Sequence, residues 1–226
     1  MDKLTFETLK PRLLSLGFGF YGDASRDSAD PEQTIIDVVQ LFRDESKAFK
    51  MLLAWLERYG DLVHVERIRV LASDLSDYDR RILGALALKQ VKNGDRRFSL
   101  LVDWAKKSKS SKSAKSSEKL DSDDPYLISK HGVDEELREF GIKSATVGPA
   151  DVKKLLAIEE VLRRNAWLRF RALIGANFRA DLAFVMAHKR ASTAYQAAKL
   201  LGCSIETAYR LWKGLQLYPG IEKLAG

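Results

Sequence analysis

Apolar residues through the first hundred positions recur mostly at helical spacing, interrupted by short polar stretches. Asp30-Pro31 marks a helix start, and Ile35, Ile36, Val39, Leu41 and Phe42 follow on one side of it. Ala48 to Tyr59 (AFKMLLAWLERY) is a strongly apolar helix closed by Gly60. Val63, Val65, Ile68 and Val70 come close to alternating, so Val63 to Leu71 leaves a strand open as an alternative to a helix. Ser76 or Asp77 caps a helix reaching about Val91, and Asn93-Gly94 stops it. Phe98 to Trp104 adds one more apolar turn or helix.

The pattern then lapses. Lys106 to Asp124 (KKSKSSKSAKSSEKLDSDD) has no apolar period and cannot offset the entropy of its own ordering, so it reads as a flexible linker. The other use of such a stretch, a basic arm on phosphates, is weakened by the Asp cluster that cancels its charge. Beyond it, Val133 to Phe140 is a short acidic amphipathic helix. A long helix is expected from Pro149 or Ala150, with Val152, Leu155, Leu156, Leu162, Trp167 and Phe170 on its apolar side. Arg163, Arg164, Arg169 and Arg171 crowd its second half, serving the helix dipole and solvent or meeting phosphate.

Residues Ala191 to Leu215 (ASTAYQAAKLLGCSIETAYRLWKGL) have the spacing of a helix-turn-helix. Ala198 is small where two helices must approach, Gly202 suits a turn with positive φ, Cys203 plugs that turn, and Ser204 is a good N-cap. Leu200, Leu201, Ala208, Leu211 and Leu215 are expected to close a small core. Ile205, Glu206, Thr207, Tyr209, Arg210 and Lys213 are left to the outside and flanks of the second helix. An ordinary helix pair with a glycine turn would look the same, so charge matters. Residues 1–106 hold 17 basic against 17 acidic side chains and residues 107–150 hold 8 against 8. Residues 151–226 hold 13 against 6, the whole of the net +7. A basic excess confined to the part with a DNA-docking motif is the electrostatic footprint of nucleic-acid binding.

Residues 168–215 also resemble the winged helix-turn-helix domains of bacterial transcriptional regulators. The likeness rests on Leu168-Arg169-Phe170-Arg171, Gly175, Arg179-Ala180-Asp181-Leu182 and Val185-Met186 ahead of the motif. It implies a three-helix core with the last helix in the major groove of double-stranded DNA. The residues expected at that interface are Thr193, Gln196, Ser204, Ile205, Glu206, Thr207, Tyr209, Arg210 and Lys213, with Arg179, Lys189 and Arg190 towards phosphate. Only Gln216 to Gly226 follow the motif, so a wing is short, supplied from elsewhere, or absent.

Other chemistry finds little support. Gly17-Phe18-Gly19-Phe20-Tyr21-Gly22 fits G-x-G-x-x-G, but a helical Leu13 to Leu16 precedes it where a dinucleotide site needs a strand. An aromatic-anchored loop is the better reading. His64, His131 and His188 lack partners at ligand spacing, and Glu159-Glu160 and Asp134-Glu135-Glu136 splay on helices rather than converge. Cys203 is the single cysteine, which excludes an internal disulfide. No catalytic signature, metal site or cofactor motif is present, so a non-enzymatic protein without cofactor is expected. The chain opens without a signal peptide, and its longest uncharged apolar run is Ile82 to Leu88, so a cytoplasmic protein with no membrane contact is expected.

These readings combine into a mainly α protein. Residues 1–105 form a helical bundle that dimerises or binds a protein partner, with Met51, Leu52, Trp55 and Leu56 as candidate interface or, alternatively, plain domain core. Residues 106–124 are the linker, and residues 125–226 are the helix-turn-helix domain, winged-helix-like. The function expected is sequence-specific transcription regulation. An interaction module such as an antitoxin or adaptor is the alternative.

Overall fold

A computed structural model of the chain describes residues 4–25, 27–107, 120–121, 125–146, 152–218 and 220. The fold is mainly helical. The first core is built by α1 (Phe6–Ser15), α2 (Pro31–Gln40), α3 (Ser46–Tyr59), α4 (Val65–Leu71), α5 (Asp77–Lys92) and α6 (Ser99–Lys107). Their starts follow local chemistry. Thr5 and Thr8 form a capping box on α1, Asp30 caps α2 with Pro31 in its first turn, and Ser76 accepts from the Asp79 amide at the head of α5. Helix α3 buries Ala48, Phe49 and every residue from Met51 to Leu56, and the Trp55 indole donates to the Leu16 carbonyl at 2.7 Å. Met51, Leu52, Trp55 and Leu56 are therefore core side chains and offer no surface to a partner.

The segment Val63 to Leu71 is helical, not extended. Val65 and Ile68 lie one turn apart on the buried side together with Arg67, while Val70 faces out. The apparent alternation fails between Val65 and Ile68, where the spacing is three.

The chain after residue 124 does not leave this core at once. Helices α7 (Pro125–His131) and α8 (Glu135–Glu139) are short, and Ile142–Lys143 (β2) pairs in parallel with Leu120–Asp121 (β1). Leu137, Phe140, Ile142, Leu155 and Val161 all bury in the first core. Gly84 on α5 makes this possible, since a Cβ there would stand 2.5 Å from both Ala105 and the Phe140 ring. Of the expected linker, Lys106 and Lys107 end α6 and Leu120–Asp121 forms β1; the rest lies outside the described residues, as does Pro149.

The expected long helix is two helices, α9 (Ile158–Arg164) and α10 (Ala166–Ile174); ahead of them Lys153 and Lys154 form a turn and Leu155 makes a single antiparallel bridge to Phe18. The Gly19 amide donates to the Lys154 carbonyl at 2.6 Å and the Leu156 amide to the Gly17 carbonyl at 2.9 Å. This pairing explains the glycines of the rejected nucleotide motif. A Cβ on Gly17 would meet Val161 at 2.4 Å, and one on Gly19 the Lys154 carbonyl at 2.5 Å. Phe18 between them is buried and stacked beside Trp55. Asn165 breaks the helix by capping the next one: its Oδ1 accepts from the Leu168 amide, and its Nδ2 donates to the Ala29 carbonyl at 2.9 Å.

Helix α10 is shared between two cores. Leu168 enters the first, whereas Trp167 and Phe170 enter a second core built with α11 (Phe178–Ala187), α12 (Ala194–Leu201) and α13 (Ile205–Gln216). Packing thus passes from one core to the other at α10, well beyond residue 125. A fragment comprising residues 125–226 would expose six first-core side chains, Leu168 among them. We expect it to give a collapsed amide spectrum by NMR; sharp, dispersed resonances would contradict this packing.

Candidate nucleic-acid interface

The motif is built by three local devices. Thr193 caps α12 by accepting from the Gln196 amide at 3.2 Å, and Gln196 returns its Oε1 to the Ser192 amide and hydroxyl at 2.9 and 2.8 Å. Gly202 then adopts φ +70° and ψ +23°, and the amides of Gly202 and Cys203 both donate to the Ala198 carbonyl. Ser204 caps α13, accepting from the Thr207 amide at 3.1 Å. Where the two helices cross, Ala194, Ala198 and Ala208 form a small-residue contact backed by Cys203 and Trp212.

The expected interface residues separate into groups. Ile205, Glu206, Tyr209, Arg210 and Lys213 are exposed along one face of α13. Thr207 is half-buried on a different side, its hydroxyl 2.9 Å from that of Ser204. Thr193 and Gln196 are exposed at the head of α12 but already make the capping bonds above. Arg179 and Lys189 are exposed with no ion-pair partner among the described residues. Arg190 folds back, its guanidinium 4.7 Å above the Phe184 ring and donating to the Ser28 carbonyl at 3.3 Å. Leu200 was expected in the core but is 46% exposed, because the α12 side that meets α11 and α13 is filled by Ala194, Ala197, Ala198 and Leu201. Among the described residues no strand follows α13.

Arg163, Arg164 and Arg171 ahead of the motif are committed elsewhere, while the Arg169 Nε is buried with no hydrogen-bond partner among the described residues. Arg163 and Arg164 both pair with Glu160, which holds that carboxyl down at about 2. Arg171 is fully buried. It clasps Glu32 of α2 through both terminal nitrogens at 2.6 Å, and its Nε donates to Asp181 of α11 at 2.8 Å. Asp181 also accepts from the Trp167 indole at 2.6 Å and lies 2.7 Å from His64 Nδ1. Arg67 pairs with Glu32 and Asp30 and donates its Nε to the Leu201 carbonyl at 3.2 Å, at the end of α12. Burial alone would raise the Asp181 pKa, but Arg171, then His64 and Arg67, overcome it and hold the carboxyl below its ordinary range.

Sequence reasoning missed this cluster. One signal was present: Asp181 is the sole charge in the apolar stretch Ala180 to Ala187, a position that charged residues occupy only when paired. The cluster joins α2 and α4 to α10, α11 and the end of α12, so the motif is held in one position against the first core.

Cys203 is half-buried in the turn, and burial pushes its thiol pKa up. His188 is pushed down by burial and by Arg190 and Arg169. Among the described residues no group of three or more His, Cys, Asp or Glu side chains could hold a metal ion, and no helix is long and apolar enough to cross a membrane. No family model matches the chain, and no curated protein or solved structure does either.

Proposed function

We propose that this protein is a sequence-specific DNA-binding regulator that lays the open face of α13 in the major groove of duplex DNA. The observation that carries the reading is the bare stripe of Glu206, Tyr209, Arg210 and Lys213 on a helix whose opposite face is filled. Capped at Ser204 and set by a glycine turn, the first exposed residues of such a helix are the ones that reach base edges. On this reading Glu206 accepts from a cytosine N4, and Lys213, two turns later, meets phosphate. The positive excess of residues 151–226 supplies the attraction that is independent of sequence.

The test uses the full chain on duplex DNA. For ~4–6 phosphate contacts, log affinity is expected to fall with log salt at a slope of roughly −4 to −5. Lys213→Ala should weaken all sequences alike and reduce that slope by about one. Glu206→Ala should relax preference at one base pair by about 1–3 kcal/mol. A binding-site selection on both variants is decisive: if Glu206→Ala keeps the consensus while Lys213→Ala changes it, the helix is presented the other way round. Because one motif covers few base pairs, a homodimer on half-sites about 10 base pairs apart is the expected assembly, read by light scattering on and off DNA.

A second reading, docking of the motif on a protein, is favoured by one observation: Ile205, Tyr209, Leu217 and Tyr218 are exposed on or just after the same helix. No salt-dependent duplex binding by the full chain would favour this second reading.

A further inference from the structure

We propose that the cleft between the motif's turn and helices α4 and α6 is a binding site for a small organic carboxylate with an apolar ring. The inference goes beyond the DNA reading and does not depend on it. The cleft has a volume of about 750 Å³, within the range of small-ligand sites. One wall is Val70 of α4 and Leu100 of α6. The other is Phe178 at the head of α11 with Gly202, Cys203 and Thr207 of the motif.

Two features point to the ligand's chemistry. The first is apolar surface left open in a concavity. Val70 is 41% and Leu100 53% exposed, although neighbours on their helices, Ile68 and Leu101, are fully buried. A flat ring between these side chains and Phe178 would remove that surface from water. The second is charge. Arg97 lines the cleft but is committed to Asp95 at 2.6 Å and to the Gly60 and Val63 carbonyls at 2.8 and 3.2 Å. Glu66 stands at the rim, its carboxylate 3.9 Å from His64 Nε2. Arg69 alone among the cleft's cations has no ion-pair partner among the described residues. Its planar guanidinium suits a carboxylate, two N–H groups to two oxygens. Asn177 spends its Oδ1 on the amides of Arg179 and Ala180, which leaves its Nδ2 as a further donor. The nearby Glu66 carboxylate disfavours a doubly charged phosphate, so a monoanion with an apolar body is the class selected.

The experiment titrates the full chain with naphthalene-1-carboxylate, its neutral carboxamide and inorganic phosphate, followed by calorimetry and amide NMR. The acid should bind at one site, about tenfold or more tighter than the amide, as expected for a charge-assisted pair, and phosphate should not bind. Arg69→Gln, at an exposed position, should abolish the preference for acid over amide. Leu100→Ser, also exposed, should weaken both. Shifts should concentrate at Val70, Phe178, Cys203 and Thr207. Absence of saturable binding, equal affinity for acid and amide, a preference that survives Arg69→Gln, or shifts centred elsewhere would each overturn the assignment.

Discussion

Arg171→Ala is expected to destabilise the folded chain by about 3–5 kcal/mol, the range seen when one partner of a buried ion pair is removed. The reason is the charge left behind. Arg171 makes two 2.6 Å bonds to Glu32 and one of 2.8 Å to Asp181, and all three side chains are fully buried. Without the guanidinium, Glu32 keeps only Arg67 among its cations, and Asp181 keeps His64 and the Trp167 indole. Urea denaturation at neutral pH reads the loss directly. Removing charge on both sides, in Arg171→Met with Glu32→Gln, should cost less than the two single changes added together, because neither variant then strands the other's partner. Additive losses, or a single-variant loss below about 1 kcal/mol, would mean that the cluster does not hold the halves together. The same cluster sets an acid limit. The folded pKa of Asp181 lies below that of the unfolded chain, so its stabilisation is complete above the ordinary carboxylate pKa of about 3.9 and is lost as pH falls through the folded value. The midpoint denaturant concentration should therefore decline on acidification below about pH 5.

Gly202→Val should be nearly as damaging and should also remove duplex binding. A side chain at φ +70° costs about 1–2 kcal/mol for an ordinary residue and more for a branched one. Space makes it worse, because the first added carbon would stand 2.7 Å from Val70 Cγ1, inside any real contact. The two causes can be separated. Gly202→Ala in a Val70→Ala background loses the collision but keeps the strain, so its stability cost should shrink without vanishing. An unchanged cost in the two backgrounds would show that α4 does not press on the turn. Gly202→Asn, tolerant of this backbone region, should fall between glycine and alanine in the denaturation midpoint.

Local chemistry carried the motif into view and tertiary chemistry hid its surroundings. Gly202, Ser204, Leu201, Ala208 and Leu215 act where their spacing places them, since turns, caps and helical periods are set within a few residues. Leu200 did not, because four small or apolar residues on the neighbouring face of α12 already filled the contact. The straight reading of Pro149 to Phe170 as one helix failed for another reason. Residues 154–156 lie beside 17–19, more than 130 positions earlier, and no local pattern announces such a partner. Arg67 and Arg171 were hidden in the same way. Each looks like a surface cation until its carboxylates arrive from α2 and α11. The open face of α13 was legible residue by residue, except that Thr207 lies half-buried on another side, near the cleft.

The distances in sequence across the ion cluster also order its assembly in time. Glu32 and Arg171 are 139 residues apart, Arg67 and Leu201 134, and His64 and Asp181 117. The crossing of α12 and α13 closes within two dozen residues. Loop-closure entropy and the slow folding of non-local topologies place the local crossing first and the cluster last. On a ribosome adding ~5–20 residues per second, Glu32 and Arg67 emerge on the order of 10 s before their last partners are made. During that interval they hold each other, and the nascent N-terminal core carries a half-neutralised charge site open to water. Salt in a refolding buffer should therefore slow the final docking step while leaving the early collapse unchanged.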